Sequence, residues 1–120
     1  MNAIELARQA YAPAAAAVKT DRAIEAQVLS SITADLQRSK DNFPKLVDAL
    51  HRNRLFWTAL AADVSQEENR LPETLRARIF YLAEFTFHQT SRILADGKST
   101  DILIEINSAI ISSLTARGTS

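Results

Sequence analysis

The stretch FPKLVDALHRNRLFWTALAADV, residues 43–64, decides the fold. Its apolar residues Phe43, Leu46, Val47, Leu50, Trp57, Leu60 and Val64 return at intervals of mostly three and four, the period of a helix face rather than of a strand. Pro44 sits where a first-turn proline is tolerated, so a helix is expected from there to about Val64. At 100° per residue, Asn53 and Arg54 rotate onto the same apolar side, while Leu55 points away from it. Lys40, Asp41 and Asn42 form a turn before the helix, and the polar run Ser65 to Arg70 reads as a loop after it.

The same period continues on both sides. Upstream, Ile24, Val28, Ile32 and Leu36 repeat every fourth residue and Leu29 widens the stripe, which predicts a helix to about Ser39. Thr20 is its expected N-cap, and Asp21 suits the positive end of the helix dipole. A short helix is expected from Asn2 to about Tyr11, with Ile4, Ala7 and Tyr11 on one face; Pro13 and the alanines after it make a break. Downstream, Leu71-Pro72-Glu73 opens a helix that ends before Gly97, a natural left-handed C-terminal residue. Ser99 or Thr100 caps a last helix, with Asp101 in its first turn and Gly118 past its end. The expected fold is all-α: a small bundle of about four main helices plus a short N-terminal helix, forming one domain over residues 1–120.

Composition narrows the function. Fourteen Lys plus Arg balance fourteen Asp plus Glu, so the net field expected of a general nucleic-acid binder is missing. The absence of Cys excludes disulfides, thiolate metal sites and cysteine nucleophiles. Two glycines cannot supply a GxGxxG phosphate loop, and no cofactor is expected. No stretch approaches the ~20 apolar residues of a membrane span, and no basic-then-apolar leader opens the chain. A cytoplasmic location is the expectation.

The search for chemistry returns little. His51 and His88 belong to no HExxH-type pattern, and Asp63, Glu67 and Glu68 read as a solvated helix end, so no metal site is expected. Ser30, Ser31, Ser112 and Ser113 lack a nucleophile elbow, and the domain is expected not to be an enzyme. Arg52, Arg54, Arg76 and Arg78 make the densest basic patches. Their ordinary role is solubility or an ion pair, such as Arg52 with Asp48 four residues earlier, and direct RNA contact is the lesser reading. Asn53 and Asn107 lie on apolar faces, where an amide must find partners and so selects one register of helix packing.

Two helices carry a second apolar stripe. Beside the expected core positions Leu71, Leu75, Ile79, Leu82, Thr86 and Ile93, Phe80, Phe87 and Leu94 recur every seven residues. In the last helix Leu103, Ile106, Ile110 and Leu114 face one way, and Ile104 and Ile111 the other. A helix apolar on two sides is either covered on both or meets a partner. Cover by the N-terminal helix, a groove for a partner's amphipathic helix, and self-pairing across a two-fold axis are the three ways to satisfy the extra stripe. The groove reading makes Leu55, Phe80, Phe87, Leu94, Ile104 and Ile111 the partner-binding residues.

The sequence resembles the flagellar biosynthesis regulator FlaF family of α-proteobacteria. The resemblance rests on Ala10-Tyr11, on Asp21-Arg22-Ala23-Ile24-Glu25-Ala26, and on the run from Phe43 to Trp57. Leu60-Ala61-Ala62-Asp63-Val64, Leu71-Pro72-Glu73-Thr74-Leu75-Arg76-Ala77 and Leu103-Ile104-Glu105-Ile106-Asn107 complete it, in order and over most of the chain. It implies a non-enzymatic protein needed for flagellin production and export, acting alongside the regulator FlbT. Flagellin and FlbT are then the expected partners of the groove, with post-transcriptional regulation through flagellin mRNA as the alternative. The family has no catalytic residues to carry over.

Overall fold

A computed structural model describes residues 21–118, so the expected helix from Asn2 to Tyr11, the break after it and the Thr20 cap lie outside the described residues. Four helices follow: α1 (Asp21–Arg38), α2 (Phe43–Val64), α3 (Glu73–Asp96) and α4 (Asp101–Gly118). Their boundaries follow local chemistry. Asn42 caps α2, its side chain accepting from the Lys45 N–H at 3.1 Å, with Pro44 in the first turn. Gly97 ends α3 at φ 67° and ψ 28°, its N–H bonded to Ile93 O at 3.0 Å; a side chain there would meet no neighbour, so glycine is favoured for its backbone alone. Ser99 Oγ accepts from the Asp101 N–H at the start of α4.

The loop between α2 and α3 is tied down by one residue. Asn69 donates to the carbonyl and carboxylate of Asp63, at 3.2 and 3.1 Å, and accepts from the Leu71 N–H at 3.0 Å. Arg22 at the start of α1 reaches the same Asp63 carboxylate while pairing with buried Glu25 at 2.8 Å, which fastens α1 to the end of α2.

Short connections make consecutive helices antiparallel. α2 packs on α1, α3 on α2, and α4 returns onto α1, while α3 and α4 touch only lightly. Lys40, just after α1, bonds Asp101 at the start of α4 at 2.6 Å, as antiparallel packing of these two helices requires. The larger core cluster joins Leu29, Ile32, Phe56, Trp57, Leu60, Ile79, Ile110 and Leu114, and a smaller one joins Leu36, Ala49, Leu50, Ile93 and Leu103. Burying each large apolar side chain contributes about 1.5–3 kcal/mol relative to leaving it in water.

The structure changes some assignments. Phe56, not counted on the apolar face of α2, is fully buried, whereas Phe43 and Val47 are exposed and Arg54 points to solvent. At 100° per residue the buried residues of α2, from Ala49 to Val64, share one broad face that includes Phe56 and leaves Phe43, Val47 and Arg54 to one side. In α3 the buried line is Ile79, Ala83, Thr86, Thr90 and Ile93, while Leu75 and Leu82 are only half-buried. Small residues Ala83 and Thr90 take the inward positions, which lets α3 approach α2.

Candidate functional site

The centre of the bundle is polar, and it is closed. Asn107 on α4 accepts from Trp57 Nε1 at 2.9 Å and donates to Asn53 Oδ1 at 2.9 Å and to Thr33 Oγ1 at 3.1 Å. Thr33 in turn donates to Leu29 O at 2.7 Å. All four residues are buried, Asn53, Trp57 and Asn107 with no exposure at all. The network joins α1, α2 and α4, although the backbones of α2 and α4 lie diagonally across the bundle. Slipping any of the three helices by one residue would strand an indole N–H or an amide in an apolar interior, so the interior amides read from sequence do select one packing. Asn53 Nδ2 and Thr86 Oγ1 have no partner. The arrangement holds no nucleophile and base within reach of each other, and its role is positional.

The six residues of the expected groove divide in two. Leu55 is 49 %, Phe80 46 % and Leu94 43 % exposed, whereas Phe87, Ile104 and Ile111 are half-buried. Phe87 and Ile111 pack against the larger core cluster and Ile104 against the smaller. Ile104 and Ile111 belong to α4, which lies along α1, while the Phe80 stripe belongs to α3, which lies along α2. None of the six lines the cavity beside Asp35 and Arg52 or the one beside Phe43 and Lys98. Tyr81, at 67 % the most exposed large apolar side chain, was not singled out by its spacing.

The basic patches are partly spoken for. Arg52 bonds Asp35 and lies 3.5 Å from Asp48, and Asp35 also holds Arg38 at 2.7 Å. Hydrogen bonds from Arg52 and then Arg38 hold the Asp35 carboxyl below its ordinary value. These charges border a surface cavity of about 730 Å³, where they largely neutralise one another. Arg76 donates to Asn69 O at 3.2 Å and so belongs to the α2–α3 loop. Arg54 and Arg78 are exposed, as are His51 and His88. Among the described residues no three His, Asp or Glu side chains gather as a metal site, and no helix is long and apolar enough to cross a membrane.

Neither the curated proteins nor the solved structures return a match to this chain. A family model described as flagellar protein FlaF matches residues 7–114, which spans all four helices short of the last residues of α4. The chain belongs to the FlaF family of flagellar proteins.

Proposed function

We propose that this protein is a non-enzymatic flagellar biosynthesis factor that supports flagellin production and export by binding flagellin, the regulator FlbT, or both, in the cytoplasm. Family membership supplies the flagellar context. The observation that carries the binding reading is the exposure of Phe80 and Leu94 on α3, members of one apolar stripe that repeats every seven residues, together with Leu55 on α2. A secretion chaperone must cover an amphipathic segment that would otherwise self-assemble, and it needs apolar surface rather than a nucleophile. Internal engagement of Arg52 and Arg76 favours protein over flagellin mRNA as the direct partner.

Co-purification of the full chain with flagellin and with FlbT, each expressed separately, tests this reading. Replacing Phe80 and Leu94 together by Ser should abolish recovery of the partner while leaving helical circular dichroism and the melting temperature close to the parent values. Retained recovery with both partners would exclude the α3 stripe. Light scattering of the protein alone, then with the recovered partner, separates hetero-association from a homodimer that covers its own stripe.

A further inference from the structure

Phe43 departs furthest from the helical pattern: its spacing puts it with the core of α2, yet it is 61 % exposed. It borders a cavity of about 350 Å³ at the end of the bundle where residues 39–42 and 97–100 turn. Leu46 and Ile93 give that cavity apolar walls, Lys40 and Lys98 give it cations, and Ser99 and Thr100 close it at the start of α4. Val47, one turn along from Phe43, and Leu94, next to Ile93, are exposed as well.

Charge around the cavity is one-sided. Lys40 and Asp101 neutralise each other through their 2.6 Å bond, which also holds the Asp101 carboxyl below its ordinary value. Lys98 has no ion pair among the described residues, and the first turn of α4 adds the partial positive charge of a helix N-terminus. The complement of an apolar pocket with one free cation is an apolar side chain carrying one carboxylate. Size narrows this further. A cavity of about 350 Å³ has room for one apolar residue together with its carboxylate.

We propose that this cavity binds the C-terminal residue of a partner polypeptide, its apolar side chain between Phe43, Leu46 and Ile93 and its free carboxylate on Lys98 and the first turn of α4. The proposal rests on the protein-binding reading above and adds to it a contact separate from the α3 stripe. Amide chemical shifts of the full chain, titrated with small probes, read the cavity alone. N-acetyl-leucine should give saturable shifts at residues 43–46 and 98–103 and bind about fivefold more tightly than N-acetyl-leucinamide, as one surface ion pair allows. Lys98→Met should reduce the acid to the level of the amide, and Phe43→Ala, at an exposed position, should weaken both.

Equal binding of acid and amide, shifts elsewhere in the bundle, or no saturable shift would each overturn the proposal. Equal binding of N-acetyl-leucyl-glutamate α-amide would overturn the chain end in favour of an acidic side chain. Co-purification of Lys98→Met with flagellin and FlbT separates the two levels of the argument. If the probes fail but the parent protein still recovers a partner, only the cavity is lost; if no partner is recovered by the parent protein, the binding reading itself is lost.

Discussion

α3 and α4 carry the same kind of sequence, a core stripe and a second apolar stripe repeating every seven residues, and the fold treats them differently. On α4 the second stripe, Ile104 and Ile111, is half-buried and packs on the core clusters. On α3 Phe80 and Leu94 stay exposed, and only Phe87 between them packs inward. The difference lies in the neighbours. α4 is laid along α1 and anchored through Asn107 to three other side chains, whereas α3 contributes nothing to that network and, among the described helices, packs closely on α2 alone. A seven-residue apolar repeat therefore marks surface that wants cover; which helix lies alongside decides whether it gets it.

The largest test is of the anchor. Asn107→Ala strands Trp57 Nε1, Asn53 Oδ1 and the Thr33 contact, and should cost roughly 3–5 kcal/mol in denaturant unfolding, since each unpaired buried polar group costs about 1–3 kcal/mol. A loss under about 1 kcal/mol would mean that α4 is held by apolar packing alone. Next come the two stripes themselves. Ile111→Ser should lower stability by about 1–2 kcal/mol and Phe80→Ser by no more than about 0.5 kcal/mol, because only the first empties a packed position. Equal losses in chemical denaturation would erase the contrast between the helices.

Smaller effects sharpen it. Thr86, fully buried on α3 with an unpartnered hydroxyl, carries an interior polar cost. Thr86→Val keeps the shape and removes that hydroxyl, so a rise in melting temperature equivalent to at most about 1 kcal/mol is expected. The smallest effect is electrostatic and lies on the α1–α2 side. Asp35 is held below its ordinary value of 3.8 by Arg52 and Arg38. A depressed folded-state pKa stabilises the fold above the unfolded value and loses that contribution as pH falls through the folded one. Stability should thus dip below about pH 4, and Asp35→Asn should flatten that part of the pH profile, as followed by thermal melts. An unchanged profile would remove Asp35 as the source.

Much of this was legible beforehand because it depends on spacing. Ile24, Leu29, Ile32 and Leu36 announced α1, Pro44 the opening of α2, and Gly97 the end of α3, each through a local rule of helix geometry or termination. Asn53 and Asn107 announced interior amides in need of partners, since an amide on an apolar stripe must be satisfied; that they would bond each other, with Trp57 and Thr33, was not legible. The inward turn of Phe56, the outward turn of Phe43 and Val47, and the capture of Arg52 by Asp35 on another helix were not legible. Each depends on where a second helix lies, and a helical wheel carries no neighbour.

By itself, then, the sequence determined the secondary structure, the all-α class and the presence of more apolar surface than one bundle face uses. Tertiary structure alone decided which part of that surface stays in water: the α3 stripe rather than the α4 stripe, and Phe43 at the bundle end. Helix periodicity is set within a few residues of backbone, but exposure is set by helices that meet from opposite ends of the chain, as α1 and α4 do.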